Sequence, residues 1–256
     1  MGDSAVKLDG KVAIVTGGGS GIGRASALEM ARQGAQVVVA DINAERGQAV
    51  ADEIGAEGGK ALFLPVDTAS YEQVEGLVQE TVHRLGQLDI MFNNAGIGGM
   101  QVSVLDMPVE EYHRVLSVDQ HGVFYGIKAA GQAMNDRGGV IINTASVYGF
   151  IADRRQFPYH AAKGAVVMMT KAAALELAPF NIRVVCIAPG LINTHIVDGW
   201  RDNEKIWTAA QNAQMRRRIG EPEEVGKVVA FLASDDASFL NGHAYFVDDG
   251  AASFKR

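Results

Sequence analysis

The chain holds a single cysteine, Cys186, in 256 residues. That scarcity excludes an intrachain disulfide and removes the thiolates a structural zinc site usually needs. The flanks of Cys186, Val184-Val185 and Ile187-Ala188, mark a buried apolar position rather than a reactive thiol. No His/Asp/Glu cluster has metal-ligand spacing, so no metal is expected, and no Gly-x-Ser-x-Gly elbow points to hydrolysis. No apolar run reaches the length of about 20 residues that a bilayer-spanning helix requires. Basic charge is also short: 23 Lys and Arg against 30 Asp and Glu leave a formal net charge of −7. Nucleic acid and anionic membranes therefore gain no electrostatic attraction. Met1-Gly2-Asp3-Ser4 is polar and precedes no signal-length apolar stretch, and Val6 stands where a myristoylation signal wants Ser or Thr. The expected setting is the cytoplasm.

What the chain does have is alternation. Hydrophobic residues make up 48% and charged ones 21%, the balance of a globular protein. Short β-branched runs recur at 11–16, 35–41, 60–67, 88–93, 138–146, 182–188 and 244–248, with helical patterns between them. Runs of this kind are strands buried on both faces, as in a parallel sheet. The reading is α/β: one doubly wound Rossmann domain over 1–256, a mostly parallel seven-stranded sheet with helices on both faces. No linker, repeat or low-complexity segment interrupts it. The stretch 193–220 reads as irregular and largely polar, and a substrate lid is expected over 191–220. Between Pro108 and Met134 an apolar stripe at helical spacing suits either internal core or helices bundled between subunits.

The first strand runs into Thr16-Gly17-Gly18-Gly19-Ser20-Gly21-Ile22-Gly23 and then a helical pattern from Arg24 to Gln33. Strand, glycine loop and helix form the context of a dinucleotide loop. Bare glycine backbone can approach a pyrophosphate, and the helix N-terminus offers amides and a positive dipole end. The second strand ends on Asp41, where a carboxylate can accept bonds from the adenine-side ribose hydroxyls. A 2′-phosphate would meet like charge there, and the loop offers no cation before Arg24. NAD rather than NADP is the expected cofactor. Asp67, at the third strand end, either reaches adenine or caps a turn; small Asn94-Ala95-Gly96 after the fourth strand permit close backbone approach.

Tyr159-His160-Ala161-Ala162-Lys163 places a phenol and an ammonium on one helix face, four residues apart. A phenol near pKa ~10 is a poor base at neutral pH. One positive charge at ~5 Å favours the phenolate by roughly 3 kcal/mol at an effective dielectric of ~20, or about two pKa units. Tyr159 is thereby expected to exchange a proton with an alcohol or carbonyl oxygen near neutral pH. His160 points partly away and reads as packing or surface, and His195 has no companions as a ligand.

Over essentially its whole length the chain resembles the short-chain dehydrogenase/reductase family. The residues that carry the resemblance are the 16–23 loop, Asn93-Asn94-Ala95-Gly96, Ser146 ahead of Tyr159 and Lys163, and Pro189-Gly190-Leu191-Ile192-Asn193-Thr194. The resemblance implies hydride transfer between a nicotinamide and a carbonyl or hydroxyl carbon. Tyr159 would be the acid/base, Lys163 would lower its pKa and hold the nicotinamide ribose, and Ser146 would donate to the substrate oxygen. Val66 and Asp67 would bracket adenine, Pro189, Gly190 and Ile192 would line the nicotinamide, and Thr194 would bond its amide. Asp119 departs from the pattern, standing where the family usually has asparagine in a kinked helix. It adds charge that favours protonated Lys163 and removes an amide donor, so a modified proton relay is expected. A homotetramer follows by analogy alone.

The expected activity is NAD(H)-dependent interconversion of a secondary alcohol and a ketone, the substrate being cyclic, steroid-like or a hydroxy acid. A 3-oxoacyl-thioester reductase and a non-catalytic dinucleotide-binding sensor are the rivals. Arg154-Arg155 and Arg216-Arg217-Arg218 read as a solvated face, or as holders of an anionic substrate group. Tyr148, Phe150, Phe157 and Trp200 suit an apolar pocket equally well.

Overall fold

A computed structural model describes residues 7–253; Met1-Gly2-Asp3-Ser4 and Val6, considered above for leader and lipid signals, lie outside them. The strands are β1 (Val12–Thr16), β2 (Gln36–Asp41), β3 (Lys60–Pro65), β4 (Ile90–Asn93), β5 (Gly139–Thr144), β6 (Ile182–Pro189) and β7 (Ala244–Val247). They form one sheet in the order β3-β2-β1-β4-β5-β6-β7, and every pairing is parallel. Every residue of the central strands β1 and β4 is buried, as their unbroken apolar runs require; the edge strands β3 and β7 are more exposed.

Successive strand residues serve opposite sides. Val15, Val37, Val39 and Ile142 pack with α1 (Gly21–Arg32), α2 (Ala44–Ala56) and, late in the chain, α9 (Pro222–Ala233). Ile14, Val38, Met91 and Ile141 face α3 (Tyr71–Leu85), α5 (Gly122–Met134) and α6 (Phe157–Leu177). Cys186 is buried, and burial pushes its thiol up to about 11, which keeps it an inert packing group.

The segment after Pro108 is helical from α4 (Val109–Leu116) straight into α5, through one π-helical turn at Ser117–His121. An inserted residue of this kind re-aims a side chain inward, and here Asp119 is fully buried. The apolar stripe goes mostly to the interior: Val115, Leu116 and Val123 are buried, whereas Phe124 faces outward.

Two boundaries correct the sequence reading. Helix α1 starts at Gly21, inside the glycine loop rather than after it. The 193–220 stretch is not mainly irregular: it contains α7 (Asp198–Arg201) and α8 (Glu204–Asn212). Asn203 caps α8, accepting from the Lys205 and Ile206 amides at 3.2 Å. That cap is a sequence signal the polar composition obscured.

Candidate active site

The cleft lies over the C-terminal ends of the strands, where the order reverses between β1 and β4, the position at which open α/β sheets bind ligands. Thr16 closes β1 and ties it to β4: its Oγ accepts the Asn94 and Ala95 amides at 3.0 and 3.2 Å. Gly17 turns the chain at φ +63°, and a Cβ there would stand 2.9 Å from the Ala95 Cα. Gly23 brings α1 against the loop so closely that a Cβ would meet the Gly17 carbonyl oxygen at 2.0 Å. Ser20 makes no side-chain cap and the first turn of α1 carries no acid. Its amides are left for an anion at the mouth of the cleft.

The other predicted residues converge on the same place. Asp41 Oδ2 accepts the Gly19 amide and Oδ1 the Asn43 amide, each at 2.9 Å, which holds the carboxylate beside the glycine loop. Asp67 caps a turn through the Ala69 amide and also lines the cleft. Gly17, Ser20, Gly21, Ile22, Asn94, Ala95 and Gly96 line it from one side, and Pro189, Gly190, Ile192 and Thr194 from the other. Of the cofactor residues expected from sequence, only Gly19 and Gly23 do not face the cavity, which measures about 780 Å³. They shape the loop from behind. A pyrophosphate beside a bare helix terminus and a diol beside a fixed carboxylate both fit these residues.

Sequence reasoning missed Arg46. It is exposed on α2 and lines the cleft near Asp41. Its proximity depends on how α2 docks. Arg24, the cation weighed from sequence, is engaged with Glu53 at 2.5 Å.

The chemical end is assembled by β5 and α6. Ser146 follows β5, and its Oγ accepts the Tyr148 amide at 3.2 Å. The turn-capping use thus fixes the oxygen while leaving the hydroxyl proton to donate. Tyr159 and Lys163 share a face of α6, with Nζ 5.4 Å from the phenol ring centre. Nζ donates to the Thr144 carbonyl at 3.0 Å and lies 3.1 Å from Asp119 Oδ2, both charges being buried. Asp119 Oδ1 accepts the Ile97 amide at 2.8 Å. Oδ2 accepts no aligned hydrogen bond among the described residues and is compensated chiefly by the ion pair with Lys163.

Charge in this cluster is set by burial and by the pair. Burial disfavours the charged form of Lys163, but Asp119 and Tyr159 outweigh it and hold its pKa above the ordinary value. Burial pushes the Asp119 carboxyl up, against the pull of the Lys163 cation. For Tyr159 the structure corrects the sequence expectation. Burial raises its pKa first; Lys163 lowers it, Asp119 raises it again, and hydrogen bonding with Ser146 lowers it, for a net value above the ordinary phenol. The cation is in place, but burial of the phenol, with the Asp119 carboxylate in second place, outweighs it.

The substrate side is walled by Val147, Tyr148 and Ile97 opposite Ile196, Trp200, Ile206 and Ala209 of the 191–220 segment. That segment is pinned where it leaves and rejoins the body by the Ile192–Gly220 bridge. Of the arginines weighed for an anionic substrate, Arg216 is held by Asp249 at 2.5 Å and Arg218 by Glu224 at 2.7 Å. Arg154 is the one that lines the cleft. His195 bonds Asp198 at 3.0 Å in an exposed position.

An uncapped α1 terminus, a fixed carboxylate at the end of β2 and a Ser/Tyr/Lys group meet in one cleft, the arrangement expected of a nicotinamide-dependent oxidoreductase. A family profile described as Enoyl-(Acyl carrier protein) reductase matches residues 17–252. The cyclohexanol dehydrogenase of Acinetobacter sp. (strain SE19) is 43% identical, covering 96% of this chain and 97% of its own. The meso-2,3-butanediol dehydrogenase of Serratia marcescens is 38% identical, with 97% of each chain covered. A short-chain type dehydrogenase/reductase from Mycobacterium marinum superposes with a TM-score of 0.93 at 40% identity, covering 97% of this chain and 98% of that one. The chain belongs to the short-chain dehydrogenase/reductase family.

Proposed function

We propose that this chain interconverts a secondary alcohol and its ketone with NAD(H), on compact cyclic substrates without a charged group at the reacting end. The observation that carries the reading is the convergence of Ser146, Tyr159 and Lys163 on the cleft that also receives the bare α1 terminus and Asp41. The bound dinucleotide would supply or take the hydride. Ser146 donates to the substrate oxygen, Tyr159 gives or takes the proton on that oxygen, and Lys163 orders the ribose and biases the phenol. Asp119 is a positioning residue that keeps Lys163 charged and in place. The apolar wall of Val147, Ile196, Trp200 and Ile206 favours an alicyclic body. The cyclohexanol-acting relative supports the same choice.

Asp41 supports NAD over NADP, with Arg46 as the cation that narrows the margin. The 191–220 segment serves as the substrate lid. A cytoplasmic setting and a homotetramer belong to the same reading. Exposed Phe124 on α5 with Met168 and Leu175 on α6 supports the tetramer as an apolar surface.

The test follows NADH formation with cyclohexanol, butane-2,3-diol and a hydroxysteroid, and NADH loss with the matching ketones. Turnover of the cyclic alcohols with NAD above that with NADP is expected. No turnover of any secondary alcohol or ketone, in a protein that still binds NADH, would return the chain to the sensor reading.

A further inference from the structure

His160 stands beside the acid/base, and its two ring nitrogens have partners that allow only one arrangement of protons. Nε2 lies 2.9 Å from the backbone amide of Asp153, which can only donate. Nδ1 lies 2.6 Å from the Gln156 carbonyl, which can only accept. The ring must therefore be neutral with its proton on Nδ1. Its face packs on Tyr148 with ring centres 4.7 Å apart, and Tyr148 meets Tyr159 edge-on at 6.3 Å. Tyr148 also reaches Asp153 Oδ2 at 3.3 Å.

The loop fastened in this way needs fastening. Arg155 sits at φ +64°, a conformation that L side chains adopt reluctantly. Asp153, Arg154 and Gln156 line the cleft, so loosening the loop opens the substrate side and frees the ring that flanks Tyr159.

We propose that His160 is the clamp that holds the 150–156 loop at the cleft, and that substrate binding weakens when its Nε2 acceptor is lost. Without that acceptor the Asp153 N–H loses its partner and the loop its fastening to α6. The Asp153 carboxylate is occupied by the Arg154 amide and the Tyr148 hydroxyl. Lys163 is committed to Asp119 and Thr144. His160 acts through the loop rather than on the reacting atoms. The role rests on the proposed alcohol–ketone chemistry only for its kinetic readout.

The test pairs two variants with two readouts. His160→Phe keeps the ring stack and loses the acceptor; His160→Gln supplies an uncharged acceptor oxygen at about the Nε2 position. Limited trypsin digestion at neutral pH, followed by mass spectrometry, should show cleavage at Arg154 or Arg155 at least ~5-fold faster in His160→Phe, with cleavage at Arg216–Arg218 unchanged. His160→Gln should resemble wild type. This readout needs no turnover, so it separates failure of the clamp from failure of the assigned reaction. In kinetics, His160→Phe should show a raised KM with a smaller change in kcat, and KM of His160→Gln should stay near the wild-type value. Wild-type cleavage rates in His160→Phe, or a wild-type KM in that variant, would overturn the proposal.

Discussion

At Tyr159 two neighbours act in opposite directions. Lys163 favours the phenolate, while Asp119 and burial favour the phenol. Because alcohol oxidation needs the base form, its kcat/KM should climb with pH through the Tyr159 titration, on the alkaline side of neutral. Asp119→Asn removes the opposing charge while its amide oxygen can still accept the Ile97 N–H. That limb should then move to lower pH, read from kcat/KM against pH; an unmoved limb would mean that Asp119 serves packing alone. The same pair sets stability. Lys163→Met leaves Asp119 buried without its partner and should cost about 3–5 kcal/mol in urea unfolding, much of it recovered in the Asp119→Asn/Lys163→Met double variant. In the sequence, the Tyr159/Lys163 spacing and the extra charge of Asp119 were legible. The net direction at the phenol was not, because it depends first on how deeply the phenol is buried and then on the carboxylate that the π-turn brings near it.

Elements explain which readings failed. Buried parallel strands announce themselves as continuous apolar runs, so all seven were found close to their ends. The 193–220 stretch concealed α8 because one side of that helix is polar; Ile206, Ala209 and Ala213 on the other line the cleft. Losing its cap should tell: Asn203→Ala should weaken α8 by about 1 kcal/mol and raise substrate KM with little change in NADH affinity, measured by steady-state kinetics and fluorescence titration. Glycine-loop packing is tighter. Gly23→Ala forces a methyl into the Gly17 carbonyl, so NADH binding should fall at least ~10-fold along with a loss of roughly 1–3 kcal/mol in stability. Wild-type affinity in that variant would mean that α1 can shift without cost to the site.

Across the whole molecule, the strand order decides what meets what. It brings Thr16 beside Asn94 and sets Ser146 opposite α6, so motifs spread along the chain become one cleft. Side-chain pairings were the part the sequence could not convey. Arg216 with Asp249, 33 residues on, and Arg218 with Glu224 turned two candidate anion holders into surface ion pairs. Exposed Met168 and Leu175, two turns apart on α6, are the apolar surface that the proposed assembly would cover. The Met168→Glu/Leu175→Glu variant should elute as a smaller species than wild type in light-scattering chromatography, and an unchanged mass would place any interface elsewhere.

The account stands on one proton at one phenol. Tyr159→Phe should bind NADH as wild type does, by fluorescence titration, yet lose about 10²–10⁴-fold in kcat for cyclic-alcohol oxidation. Near-wild-type turnover in that variant, with NADH affinity intact, would contradict it.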